Sequence, residues 1–418
     1  MGPPSSVWVG TTHTTNASAL REARLGCVSS PPIQTPVGWT DVFRYCARMR
    51  IVQIGKYHPP AKGGMETVLG LIGAGLSQRG HDVWTIAASE GGAPVSDEER
   101  TVRCRSLGTI ASQPFTPSLP FALRRVFRSA RPDIVTLHWP NPLAALALVL
   151  TRRALPRGAR LTVWYHADIT RQRLGAALLR PLLDDLLDRA DGIAVSSSTL
   201  RDGSSRLAGR ADKVAIIPFG IDAAGWRLST RPGEGPLLFV GRLVYYKGLE
   251  LLLDALETLP DAGLEIVGDG PLRGALAARA EAPGLRDRVR FHGELDDADL
   301  RAVMSRCGAL VLPSLMRSET FGLVQIEAMA AGLPVISTQL PTGVAEVNLH
   351  GRTGLLVPPG DRAALAEAMA TVLRDPVQAR RWGAAGRERV ETHFGHLRMI
   401  EALAGWYGTL LGREGAEA

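Results

Sequence analysis

The chain has 418 residues, 45% apolar and 21% charged, which is enough for two substantial cores in a soluble globular protein. Its longest apolar run, Leu143 to Leu150, is far below the roughly 18 residues that a membrane span requires, and four scattered cysteines (Cys27, Cys46, Cys104, Cys307) with no paired spacing point to neither a disulfide framework nor a zinc site and fit a reducing compartment. The net charge of +7 is local: six arginines (Arg103, Arg105, Arg124, Arg125, Arg128, Arg131) and no acidic residue between Thr101 and Arg131 carry +6 of it, with no base-stacking or groove-reading motif to suggest nucleic acid.

Residues 1–48 are rich in Ser, Thr, Pro and Gly, without apolar periodicity, and are read as a disordered extension. They lack the basic start and apolar centre of a signal peptide, and Met49, which opens a strand, is a candidate natural start. From there strands and helices alternate. Strands are expected at Ile51 to Ile54, Val83 to Ala88, Asp133 to Leu137, Leu161 to His166, Gly192 to Val195 and Val214 to Ile217, with helices at Met65 to Gln78, Phe121 to Arg131 and Leu174 to Arg189 between them. A second series begins at Pro236 and runs through LLFVG, LEIVG, VRFHG, GALVLPS and PVIST, with a helical pattern after each of the first four. The fold class is therefore α/β: two doubly wound, mostly parallel domains, 49–225 and 230–396, joined near Asp222 to Gly235. The helical stretch from Val377 to Leu411 carries more apolar surface than one domain edge needs, so its last part, about 397–418, is expected to cross back onto the first domain.

The stretch GALVLPSLMRSETFGLVQIEAMAAG (308–332) reads as strand, loop and helix, with Glu319 before the helix and Glu327 within it. A helix amino terminus at the carboxyl edge of a sheet attracts anions. Carboxylates beside it make sense if a phosphate meets the amides of Phe321, Gly322 and Leu323 while Glu319 and Glu327 accept from hydroxyl-rich groups on either side, the layout of a sugar nucleotide. The plainer alternative is a capping Glu319 and a solvated Glu327.

Other stretches lead the same way, each with a plain alternative. Gly63-Gly64 after the first strand lets backbone approach a bulky anion, or is an ordinary turn. Arg242 and Lys247 in FVGRLVYYKG suit a leaving diphosphate, or are surface charges. Lys247 is one of only four lysines (with Lys56, Lys62 and Lys213) in a chain that otherwise uses arginine, so its retention carries weight. His166 ends a strand and can position a sugar hydroxyl, or is a core histidine. His138 and Asn141 in LHWPNP, and Asp168 after His166, are weaker, acceptor-side candidates. Asp297 and Asp299 start a helix, where acids cap, so no metal is assigned. Wound as a helix, Phe121 to Arg131 puts Arg124, Arg125, Arg128 and Arg131 on one face, either solvated or docked on anionic lipid.

Taken together, GGMETV, HADIT, GRLVYYKG, VGDGP and PSLMRSETFGLVQIEAMAAGLPVIST followed by NLHGRTGLLVPPGD resemble the retaining glycosyltransferases of family four, from Met49 to the carboxyl end. The resemblance implies the GT-B fold: two facing Rossmann-like domains with a cleft between them, the first on the acceptor side and the second binding the nucleotide sugar. It implies Gly63 and Gly64 against the donor diphosphate, Arg242 and Lys247 neutralising it, Glu319 on sugar hydroxyls, Glu327 on the ribose, and the amides of Phe321 to Leu323 on sugar and phosphate. His166 would contact the donor sugar near the reacting carbon, and Leu295 would border the base through its backbone. Transfer with retention needs no metal and no other cofactor there. The expected function is a cytoplasmic hexosyltransferase moving a sugar, GDP-mannose being the first guess at the donor, to a saccharide or lipid-linked acceptor, with the arginine face held against an anionic membrane surface. The alternatives are a soluble transferase making a small glycoside or storage glucan, and a non-catalytic sugar-nucleotide-binding subunit.

Overall fold

The computed structural model describes residues 48–61, 63–89, 100–110, 113–168 and 173–413, the side chains of 173–179 excepted. The reading of 1–48 as an extension falls, but for Arg48, outside the described residues, as do Lys62 and residues 414–418.

The first half runs β1 (Arg50–Tyr57), α1 (Gly64–Gln78), β2 (Asp82–Ser89), β3 (Thr101–Arg105), a small hairpin of β4 (Thr109–Ile110) and β5 (Gln113–Pro114), α2 (Leu119–Ala130), β6 (Ile134–Trp139), α3 (Pro142–Thr151), β7 (Arg160–Tyr165), α4 (Arg173–Arg189), β8 (Gly192–Val195), α5 (Ser198–Gly203) and β9 (Val214–Ile216). Its seven-stranded sheet has the order β3-β2-β1-β6-β7-β8-β9 with every pairing parallel. Helices cover both faces: α1 packs on one, α2 to α4 on the other. Strands buried on both sides are mostly apolar; all six residues of β6 are buried, Thr136 and His138 among them. Gln53 is likewise fully buried, in the middle of β1.

The second half runs β10 (Leu237–Val240), α6 (Leu249–Leu256), β11 (Leu264–Val267), α7 (Arg273–Ala280), β12 (Val289–Gly293), α8 (Asp297–Ser305), β13 (Ala309–Leu312), α9 (Leu323–Ala331), β14 (Val335–Thr338), α10 (Gly343–Val347), β15 (Gly354–Val357), α11 (Arg362–Arg374), α12 (Pro376–His393) and α13 (His396–Leu410). Its six-stranded parallel sheet has the order β12-β11-β10-β13-β14-β15.

Both sheets reverse direction once, between β1 and β6 and between β10 and β13. Such switch points leave a crevice at the carboxyl ends of the strands. The two crevices face each other. A side chain added at Gly64, just after β1, would lie 3.3 Å from Leu323 Cδ1 at the start of α9.

The stretch read as helical from Val377 to Leu411 is two helices. Gly395 is extended, Phe394 is buried, and Ile221 forms an isolated parallel bridge with Gly395. Beyond that break α13 packs on the first sheet. Its Tyr407 hydroxyl lies 2.6 Å from Thr136 Oγ1, Arg79 pairs with Glu401 at 2.5 Å, and Gly75 and Gly192 make room for Ile400 and Trp406.

Candidate active site

The centre of the crevice is a buried ion pair. The chain leaves β10 at Gly241 and turns through a short 3-10 helix, Tyr245–Lys247, which brings Lys247 Nζ within 2.5 Å of Glu319 Oε2. Ser314 Oγ, at the end of β13, donates to the same oxygen at 3.1 Å. Burial alone would lower the Lys247 pKa, but Glu319 outweighs it and holds the ammonium above its ordinary value. Arg242 lies on the same loop, exposed and with no side-chain partner among the described residues. Tyr246 shares this field: its hydroxyl is pushed up by burial, against the pull of Lys247 and Arg242.

Beside the pair, α9 begins abruptly. Gly322 sits at φ 71°, where a Cβ would come within 2.8 Å of Leu312 Cδ2 and 3.0 Å of Gln325 Nε2, so glycine alone fits the turn. The amides of Phe321, Gly322 and Leu323 have no backbone acceptor among the described residues. One turn on, half-buried Glu327 has its pKa raised to about 7, by burial first and by the charge of Asp297 second. Asp297 belongs to the start of α8, which Asp296 caps by accepting from the Asp299 amide at 2.9 Å. Half-buried Leu295 precedes that cap.

The first domain supplies the opposite wall. Gly63 lies over the carboxylate of Glu66, a buried acid whose pKa burial raises, and Gly64 faces Leu323. His166, past the end of β7, is 7% exposed and stacked between His138 (centroids 5.2 Å apart) and Phe219 (5.4 Å). Phe219 meets Phe321 of the second domain edge-on at 5.0 Å, so one aromatic column joins His166 to the start of the α9 turn. Burial lowers the pKa of His166 well below the ordinary value, with His138 adding to the effect, and burial lowers that of His138 to about 3. Both rings are neutral at physiological pH.

The crevice therefore brings together Gly63, Gly64, His166, Lys247, Glu319, Phe321, Gly322 and Leu323, with Arg242, Leu295 and Glu327 on its second-domain side. His138 lies fully buried beneath His166. Asn141 and Asp168 are tied into the fold instead: Asn141 donates to Gly55 O at 3.0 Å and caps α3, while Asp168 accepts from Tyr165 and Ser204, each at 2.7 Å. The arginines divide. Arg124, Arg125 and Arg128 stand exposed along α2 and Arg131 at its end, with Leu123, Val126, Phe127 and Ala130 buried opposite, whereas Arg103 lies on β3 and donates to Pro59 O at 3.1 Å.

Sequence reasoning missed the groups that join the walls. Glu346 of α10 accepts from the amide and hydroxyl of Ser198 at 3.2 and 3.0 Å and from the Thr199 amide at 2.5 Å, and so caps a helix of the other domain. Arg317 donates to Gly203 O at 2.7 Å. Only Glu66 had a local signal, its place two residues after the glycine pair.

Two facing Rossmann-like domains with a crevice between their carboxyl edges define a GT-B glycosyltransferase. Residues 62–224 match Glycosyltransferase Family 4 and residues 226–389 match Glycosyl transferases group 1. The chain is 35% identical over 381 residues to the O-antigen chain mannosyltransferase C of Escherichia coli, covering 87% of this chain and 99% of that one. It is 32% identical over 402 residues to a glycogen synthase of Mycobacterium tuberculosis, covering 86% and 94%. Among solved structures, sucrose-phosphate synthase from Thermosynechococcus elongatus superimposes with a TM-score of 0.74 at 25% identity, over 88% of this chain and 100% of that one. The chain belongs to the family 4 glycosyltransferases.

Proposed function

We propose that the protein transfers a hexose, with retention and without a metal, from a nucleoside-diphosphate sugar to a saccharide or lipid-linked acceptor, and that the donor is GDP-mannose. The observation that carries this reading is the buried Lys247–Glu319 pair set between the glycine pair of one domain and the bare amino terminus of α9 in the other. The diphosphate would lie on Gly63, Gly64 and the amides of Phe321 to Leu323, with Lys247 and Arg242 taking up the charge that grows as it leaves. Released from Lys247 by the phosphate, Glu319 would accept from the sugar hydroxyls. Glu327 would accept from the ribose, and the backbone at Leu295 would border the base. As the bond from the anomeric carbon to phosphate breaks, the acceptor oxygen would bond to the same face and its proton would pass to the departing phosphate oxygen. A neutral His166 beside the sugar adds no positive charge where the ring itself becomes cationic.

The mannosyltransferase relative favours GDP-mannose and a polysaccharide acceptor; the glycogen synthase relative favours a glucan. Thermal shifts with GDP, UDP, ADP and their sugar conjugates separate the two, since a ligand at about 100 times its Kd adds roughly 2.7 kcal/mol to the folded state. A shift with GDP and GDP-mannose is expected, with turnover unchanged by a chelator. A shift confined to ADP- or UDP-glucose would move the reading to glucan or small-glycoside synthesis, and none at all in a folded sample would count against the donor site itself.

A further inference from the structure

We infer that Gln53 and His138 are positioning residues that hold His166 in a single tautomer, protonated on Nε2, so that its Nδ1 is offered as a hydrogen-bond acceptor. The three side chains come from neighbouring strands, β1, β6 and the end of β7, and point from the same face of the sheet. His138 Nε2 lies 3.3 Å from Gln53 Oε1, and His138 Nδ1 lies 3.0 Å from His166 Nε2. An amide oxygen only accepts, so His138 carries its proton on Nε2. A neutral imidazole has one proton, so His138 Nδ1 must accept, and the proton between the two rings belongs to His166 Nε2. That leaves His166 Nδ1 as a bare lone pair, the contact to His138 being made by Nε2.

The direction of the whole chain is thus decided by which end of the Gln53 amide faces His138. In the structure the oxygen faces His138 and the nitrogen is turned away, toward α1, buried and without a hydrogen-bond partner among the described residues, where a Cβ on Gly73 would stand 3.2 Å from it. Turning the amide over would reverse every step and make His166 Nδ1 a donor. For what Nδ1 meets, the inference rests on the sugar-nucleotide reading above: an acceptor there, like Glu319, takes a hydroxyl that donates.

The test is the two-bond proton–nitrogen correlation spectrum of the full chain labelled with 15N-histidine at neutral pH, the two rings being assigned with His138→Gln and His166→Asn. Both rings are expected as the Nε2-protonated form. Gln53→Leu, which removes the acceptor, should split His166 between tautomers, and Gln53→Glu, which keeps an acceptor-only atom, should restore the single form. His166 protonated on Nδ1 in the wild type, or a Gln53→Leu protein with the wild-type pattern, would overturn the inference. The expected spectrum in a wild type that binds no nucleotide sugar would instead sink the proposed function and leave the tautomer standing.

Discussion

Lys247 and Glu319 are each within reach of water on about a tenth of their side-chain surface, so each is the other's main source of compensation. Removing one partner of such a pair leaves a buried charge and costs about 3–5 kcal/mol, whereas removing both costs far less than the sum. Lys247→Met and Glu319→Gln should each lower stability in denaturant unfolding, and the double variant should recover most of the loss. All three should lose transfer by about 10²-fold or more, because the charge on the leaving group goes unmet. Turnover near wild type in the recovered double variant would sink the diphosphate role. Glu327 gives a pH test. Its folded pKa of about 7 lies above the usual carboxyl value, so between those values the folded state holds a proton that the unfolded chain releases. Its contribution to stability therefore falls as pH rises through that window, while donor affinity should rise, because ribose hydroxyls need an ionised acceptor. Titrating the intact sugar nucleotide, whose diphosphate stays fully ionised, should show affinity falling up to tenfold per unit below about pH 7, and Glu327→Gln should flatten the profile. A wild-type profile already flat between pH 5 and 8 would remove Glu327 from the donor site. These residues were legible because type and spacing marked them: one lysine kept among arginines, and two acids flanking a helix start. Gln53, Phe219 and Glu346 carried no such mark, since what they do depends on partners 85, 102 and 148 positions away.

Whole elements were legible wherever an apolar run ended in a turn. β15 was overlooked because its four residues, GLLV, follow a loop rich in glycine and sit at a sheet edge, and β3 because arginines interrupt it. The break between α12 and α13 was illegible for a tertiary reason: helical periodicity continues through Phe394, and only the bridge to Ile221 pulls the chain straight there. The fit of α13 on the first domain rests on small residues. A Cβ at Gly75 would lie 2.5 Å from Ile400 Cγ1 and 2.8 Å from its Cδ1, and one at Gly192 2.5 Å from Trp406 Cζ2. Within a helix Gly→Ala ordinarily gains about 0.8–1 kcal/mol. Overpacking at a close-fitted contact costs about 1–3 kcal/mol, so at Gly75 the clash should win. Gly75→Ala should lower stability by about 1 kcal/mol and raise hydrogen exchange along α13. Adding Ile400→Val, which trims the colliding atoms, should reverse most of both effects. A net gain in stability from Gly75→Ala would mean that α13 is free to shift.

At the scale of the molecule, the acceptor decides where the enzyme must work, and the distribution of charge gives a test of whether it docks on a membrane surface. No described helix is long and apolar enough to cross a membrane. The first domain, however, carries apolar and basic groups together on α2, where Phe121 is 70% exposed beside Arg124, Arg125 and Arg128, and further exposed apolar side chains on α3, which packs on α2, and on the β4–β5 hairpin: Leu146 43%, Leu150 60% and Ile110 58%. Exposed arginines alone would be an ordinary solvated face; large apolar side chains set among them are what a bilayer interface rewards and water does not. Each arginine near an anionic surface contributes about 1 kcal/mol, and burying Phe121 in the acyl boundary adds roughly 2 kcal/mol. The two contributions separate by salt, because the screening length shrinks from about 10 Å at 0.1 M to about 3 Å at 1 M. Sedimentation with anionic vesicles should be abolished by Arg124→Glu, Arg125→Glu and Arg128→Glu together. Phe121→Ser should weaken it at every salt concentration while leaving the slope against salt unchanged. Transfer to a water-soluble acceptor should survive in both variants, because none of the crevice residues named above lies on α2, whereas transfer to a lipid-linked acceptor in vesicles should fall with binding. Equal sedimentation of wild type and the triple variant would return the arginine face to a solvated surface and leave a soluble acceptor as the better reading.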